Sequence, residues 1–429
     1  MQEVKQKILS VCPNQRDRYE LSLPHVIGPY EVYFHDYNAN SFEQILSRGV
    51  AASFEKQCPH VIINELIELC EKNNITGIYS SDDYPGSIYA SIVAYHKKFK
   101  SPLPAVILGC QHKYYSRLTQ TKIVPDFTPE FFLIDPHTFT QNNFSRNFPL
   151  FIKPVKSYFS FLAQKVTDFN QIHELVITKK MPELFLNQFN WFLQSFGFEP
   201  NSHGFIAEQI LKGYQVTVEG FVFEGLCQVI GVTDSVMYPG TISFSRFEYP
   251  SRLPETVQKK MAHVATTLMN GINFNNGFFN IEMMYNPETD SIYIIEVNPR
   301  MSAQFADLYE KVDGFNSFTT ALDIAVGKQP EPLKHRGQFT IAASCVMRIF
   351  ENKRVLKIPS QEQIAKVKER FPESRVFICV EEGMMLSDRL QDGNSFLYGL
   401  IHLGARDRQE LLEKYEYAKK LLPFIFASV

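Results

Sequence analysis

The alternation of apolar and polar positions is clearest over residues 278–300, FFNIEMMYNPETDSIYIIEVNPR, where two β-prone runs, 278–285 and 292–297, flank the turn-forming segment NPETDS. That pattern predicts a β-hairpin with a medium loop. A turn centred near Thr289 sets residues whose numbers sum to 578 opposite each other, so Glu282 faces Glu296 and Asn280 faces Asn298. Side chains alternate along a strand, which puts Glu296, Asn298 and Arg300 on one face.

Towards the N-terminus the pattern alternates between strand and helix. Residues 30–37 and 75–80 read as strands, and 61–72 and 85–99 have helical apolar spacing. This order favours a parallel α/β unit over about the first 110 residues, with a ligand expected at the strand ends. Asp82 and Asp83 follow such a strand end; they either meet a ligand or cap the next helix, and the cap is the preferred reading. A helix starts at 112–119, and Pro125 breaks the regularity of 122–127. The run 149–155, FPLFIKPV from Phe148, is an apolar strand carrying one lysine, Lys153. Residues 165–200 read as a polar, aromatic helical insertion, and 205–210 as a strand. A second hairpin, 215–223 with 226–232, turns at Glu224-Gly225. Residues 237–254 are expected to be an irregular substrate or lid loop, followed by a helix at 254–269. A helix at 315–326 ends at Gly327. Strands then dominate from 340 onward, with a helix at 407–422 near the end.

Length and composition narrow the class. A chain of 429 residues is too long for one ordinary core, so two or three domains are expected. Net charge is −3 with no long charged run, which favours neither nucleic acid nor membrane as partner. Seven scattered cysteines without a CxxC pair argue against a disulfide framework and a zinc site, and suit a reducing, cytoplasmic setting. The first residues are too polar for a secretory leader, and no apolar run is long enough to span a bilayer.

Chemistry enters through carboxylates and lysines in apolar surroundings. Like charges directly opposite destabilise a sheet. Glu282 facing Glu296 therefore points to a shared cation, and two carboxylates with the Asn298 amide form an all-oxygen set suited to Mg²⁺ or Mn²⁺ carrying phosphates. The alternative is an amphipathic hairpin whose polar face is merely wet. Lys153 inside its apolar strand calls for an anion such as phosphate, or else it snorkels from an edge strand.

The order of these pieces, a lysine opening a helix, KPV, AEQILKG, a hairpin, then IE and IIEVNPR, resembles the ATP-grasp superfamily, near biotin carboxylase, carbamoyl-phosphate synthetase and the L-amino-acid ligases. The resemblance covers most of the chain and is strongest over 278–327. It implies a multidomain α/β and α+β fold: a parallel-sheet pre-ATP-grasp domain at 1–110, a two-lobed ATP-grasp domain at 111–330 and a small C-terminal α+β domain at 331–429. It also implies that Lys113 and Lys153 hold ATP phosphates, Lys153 with a catalytic part, and that Glu208 with the backbone near Gln209 and Leu211 forms the adenine hinge. Gln215 takes the ribose position, Glu282, Glu296 and Asn298 the Mg²⁺, and Arg300 the reacting acyl phosphate. Two departures stand out. Lys156-Ser157-Tyr158-Phe159-Ser160 contains no glycine where relatives have a glycine-rich phosphate loop, leaving Ser157 or Ser160 to supply hydroxyl contacts. Met301-Ser302-Ala303-Gln304 lacks the Gln-Val-Glu triplet of biotin carboxylases.

The expected function is an ADP-forming carboxylate–amine ligase for amino acids or similar small metabolites, with a homodimer as its assembly. Alternatives are a bicarbonate-phosphorylating enzyme like biotin carboxylase or carbamoyl-phosphate synthetase, and a non-catalytic nucleotide-binding regulator. Substrate choice is expected from residues 238–249, with Arg246 and Arg348 as carboxylate-binding candidates.

Overall fold

A computed structural model describes residues 5–36, 58–140, 144, 147–157, 161–178, 181–332, 334–388 and 395–428. The chain opens on a parallel sheet whose middle strand, Lys7–Val11, lies between Glu31–His35 and Gly77–Tyr79. Lys7–Val11 is buried along nearly its whole length, so it lacks the alternation that marks a half-wet strand and escapes a periodicity search. Helices Pro59–Asn73 and Gly86–Lys97 follow the expected spacing.

Two larger antiparallel sheets follow, besides the two-stranded pairing of Lys353–Lys357 with Ile425–Ser428. The smaller has the order Phe131–Ile134, Phe205–Gln209, Leu150–Pro154, Gln164–Val166. Gln164–Val166 is thus a strand at the start of the expected helical insertion, whose helices are Phe169–His173 and Glu183–Ser195. The larger sheet runs Ser291–Asn298, Gly277–Asn286, Tyr214–Phe223, Leu226–Met237, Phe244–Tyr249, Ile341–Ile349, Phe396–Ala405, Arg375–Ile378. One sheet therefore continues across residue 330, joining the C-terminal strands to the hairpins.

The expected irregular loop at 237–254 is corrected by strand Phe244–Tyr249, which pairs with Leu226–Met237 on one side and Ile341–Ile349 on the other. Its aromatics are packing groups: Phe247 contacts Phe305, and Tyr249 meets Tyr309 edge-on with ring centroids 4.8 Å apart. The Glu224-Gly225 turn has φ of 48° and 79°, the left-handed pair that a two-residue hairpin needs.

The largest apolar cluster crosses from the first unit into the larger sheet, joining Leu66, Ile88 and Phe189 to Val216, Ile281, Ile294 and Val297. The apolar face of the 277–298 hairpin is consequently core, and its other face is left to the site. No helix among the described residues is long and apolar enough to cross a membrane.

Candidate active site

The hairpin register sets the site. Strands Gly277–Asn286 and Ser291–Asn298 pair Asn280 with Asn298 and Glu282 with Glu296, as the sum of 578 requires. Nearer the turn the pairing shifts by one, Met283 with Ile294, because a bulge leaves Ile295 without an opposite residue. That irregularity has a use. The Ile295 carbonyl accepts from Arg117 Nη2 at 2.8 Å and Lys153 Nζ at 3.3 Å, tying the smaller sheet to the hairpin.

Helix Lys113–Ile123 stands beside both sheets, its first turn capped by the His112 ring, which accepts from the Tyr115 N–H. Lys113 Nζ lies 2.9 Å from Glu296 Oε1. One turn on, Arg117 is buried and pairs with Glu208 at 2.5 Å, while Lys153 takes the other Glu208 oxygen at 2.8 Å. Burial would raise the Glu208 carboxyl, but Arg117 and Lys153 outweigh it and hold it at about 2. Lys153 is itself pushed down by desolvation. With its side chain held by two cations, Glu208 leaves only backbone for an adenine hinge. Gln209 ends that strand with its N–H on the Glu130 carbonyl, 3.1 Å away, and Leu211 follows half-buried in the connection to Tyr214. The Gln215 amide donates to Glu282 at 2.9 Å. Ser160 lies outside the described residues; Ser157, half-buried, follows Lys156.

The two facing carboxylates are driven apart electrostatically. Burial and then the charge of Glu296 raise Glu282. Burial acts the same way on Glu296, but Lys113 and Lys153 outweigh it and hold that carboxyl below its usual range. Glu282 thus carries an unfavourable charge that a cation would relieve, and the available donors are all oxygen. That donor set fits Mg²⁺ or Mn²⁺. Among the described residues no group of three or more His, Cys, Asp or Glu is placed to hold a metal ion. Arg300 Nη2 donates to Asn298 Oδ1 at 3.4 Å, keeping the arginine beside the metal-type ligands.

Four participants escaped the sequence reading. Arg117 and Gln120 follow Lys113 at helical spacing, a polar stripe that would have marked the helix face turned to the site. Glu219 shares its strand face with Gln215 and Thr217, is fully buried, and accepts from Asn280 at 2.8 Å and from the Ser302 N–H at 2.7 Å. Lys156 is buried and bonds Asp83 Oδ2 at 2.8 Å. The preferred cap reading holds for Asp82, which accepts from the Gly86 N–H at 2.8 Å. It is corrected for Asp83, whose carboxylate turns instead to Lys156 and Arg300, two cations distant in the sequence.

An ATP-grasp domain model matches residues 146–308. Over 111 residues the chain is 28% identical to the C-terminal section of the carbamoyl phosphate synthase large chain of Methanopyrus kandleri, covering 22% of this chain and 20% of that one. The chain therefore spans about a fifth of that relative's length. Among solved structures, the L-amino acid ligase of Bacillus licheniformis is similar with a TM-score of 0.72 at 15% identity, covering 99% of both chains. The biotin carboxylase domain dimer of Hydrogenobacter thermophilus 2-oxoglutarate carboxylase, solved with MgADP, ADP and bicarbonate, is similar with a TM-score of 0.64 at 11% identity, covering 99% of this chain and 91% of that one. Residues 146–308 thus match an ATP-grasp domain, and the fold of the chain is that of the L-amino acid ligase structure over 99% of its length.

Proposed function

We propose that this chain is an ATP-dependent carboxylate–amine ligase that acts on amino acids or similar small metabolites through an acyl phosphate and releases ADP and phosphate. The observation carrying this reading is the facing pair Glu282 and Glu296 on one sheet, opposite Lys153 on the other, with Lys113 between them. Lys113 and Lys153 would bind phosphate oxygens, and the backbone of 208–211 and Gln215 would receive the nucleoside. Glu282, Glu296 and Asn298 would hold the divalent cation, which when bound draws charge from the phosphoryl oxygens. Arg300 orients the reacting carboxylate. A carboxylate oxygen then attacks the γ-phosphorus as its bond to the ADP oxygen breaks, and the amine attacks the acyl carbon as phosphate leaves. The chain's own part is positioning and charge stabilisation; it needs no protein nucleophile.

Purified protein with ATP, Mg²⁺ and a panel of amino acids is expected to release ADP and phosphate, and hydroxylamine is expected to trap the acyl phosphate as a hydroxamate. Release of AMP and pyrophosphate would overturn the acyl-phosphate route, and ADP release driven by bicarbonate alone would favour the carboxylase reading.

A further inference from the structure

The loop after strand Gly77–Tyr79 leaves the C-terminal edge of the parallel sheet, the place where open α/β sheets bind ligands. From it Asp83 reaches into the site of the ATP-grasp domain. One of its oxygens, Oδ2, is bonded to Lys156. The other, Oδ1, lies 3.6 Å from Arg300 Nε, too far for a hydrogen bond, and that buried Nε has no hydrogen-bond partner. An acceptor oxygen and a guanidinium thus stand side by side without satisfying each other. Both side chains stay partly open, 18% for Asp83 and 22% for Arg300.

Neither group is free to swing away. Lys156 is sunk beside the rings of Tyr84 and Phe189, with its ammonium 5.1 and 6.0 Å from their centroids, and fixes the orientation of Asp83. Asp83 also keeps its charge: burial would raise its carboxyl, but Lys156 and Arg300 hold it at about 2. A small cleft opens beside Arg300, lined by Ile78, Ala90, Ile107, Phe278 and Met301, with Ser87 and Lys100 among its polar residues.

In an α-amino acid the ammonium nitrogen and a carboxylate oxygen are about 3 Å apart, from ordinary bond lengths. Such a molecule offers both missing partners at the spacing on hand. We propose that Asp83 is a specificity-determining residue that receives the ammonium of an α-amino acid while Arg300 receives its carboxylate, with a compact apolar side chain in the cleft. This rests on the ligase reading above. Bicarbonate or a simple carboxylic acid at Arg300 would instead bring a second anion beside Asp83 and no N–H for its open oxygen.

The test compares hydroxamate formation from L-alanine with that from propionate, and from L-valine with that from 3-methylbutanoate, using the full chain with ATP, Mg²⁺ and hydroxylamine. The wild-type chain is expected to favour the amino acid in kcat/KM by at least about 100-fold, since a site built to bond an N–H rejects analogues lacking it. Asp83→Asn is expected to narrow that ratio at least about tenfold, through a higher KM for the amino acid alone. General damage to the site would lower both acids together. Thermal melting with and without ADP checks that the variant folds and binds nucleotide. In Asp83→Glu, which keeps the anion opposite Lys156, the preference is expected to lie between wild type and Asp83→Asn. An unchanged ratio in Asp83→Asn, or equal use of both acids by the wild type, overturns this proposal alone. Absence of ADP release with any carboxylate overturns the ligase reading and this proposal with it.

Discussion

At the scale of single residues, charge decides what each side chain of the site can do. Glu296 is held anionic by Lys113 and Lys153, so it is the carboxylate best placed to keep a cation and those two lysines together. Glu296→Gln keeps the shape and removes the charge. Its turnover is expected to fall at least about 100-fold, the order seen when a group stabilising transition-state charge is lost, while the circular dichroism spectrum stays that of wild type. Glu219 behaves oppositely, because burial pushes it up to about 7 from an unfolded value of 4.5. Between those values the folded chain keeps a proton that the unfolded chain gives up, so stability falls as pH rises through that window, by about 1.4 kcal/mol per pH unit for one proton. Glu219→Gln accepts the same Asn280 and Ser302 bonds without titrating. Urea unfolding is expected to show the variant gaining about 2–3 kcal/mol on wild type between pH 5 and pH 7. The residues legible in the sequence, Lys153, Glu282, Glu296, Asn298 and Arg300, carry polar chemistry inside apolar runs. Asp83 and Arg117 do not. Their partners lie 73 and 91 residues away, at Lys156 and Glu208, and no local pattern records those pairings.

At the scale of elements, the hairpin shows how a register survives an imperfect turn. Its four-residue connection, Pro287 to Asp290, lies half a residue from the centre assumed at Thr289, and the bulge at Ile295 restores the pairing of Glu282 with Glu296. Hydrophobic alternation fixes which face is core, so the chemistry-bearing end was readable although the bulge was not. The neighbouring strand Tyr214–Phe223 is brought alongside by Gly213, at φ +129°, where an added Cβ would lie 2.0 Å from the Tyr285 carbonyl oxygen. Gly213→Val is therefore expected to cost more than about 2 kcal/mol in urea unfolding and to weaken nucleotide binding by shifting Gln215 away from Glu282. Phe244–Tyr249 was legible only as aromatic density between prolines. Its pairing with Ile341–Ile349 spans about a hundred residues of sequence, and only that partner makes it a strand.

At the scale of the whole molecule, a buried ionic network joins segments from three parts of the chain. Arg375 lies 3.0 Å from Glu20, 2.7 Å from Asp307 and 2.8 Å from Glu310, while Lys311 and His402 complete the surroundings of Asp307. Helix Gln15–Leu21, helix Ala306–Asp313 and the C-terminal strands meet there. Arg375→Met leaves buried Glu20 without its cation and takes one cation from Asp307 and Glu310. It is expected to cost about 3–5 kcal/mol in urea unfolding, and limited proteolysis is expected to show cleavage in the C-terminal strands that wild type resists.

The sequence by itself determined the strand and helix alternation of the first unit, the two hairpins and the charged residues set inside apolar runs. Periodicity and turn chemistry are local, and a charged group in an apolar run is visible without its partner. Only the tertiary structure decided that Asp83 belongs to the site rather than to a helix cap, that Arg117 holds Glu208, and that one sheet crosses residue 330. Those outcomes depend on which distant segments end up a few ångströms apart, and pairing across that distance is settled by packing of the whole chain.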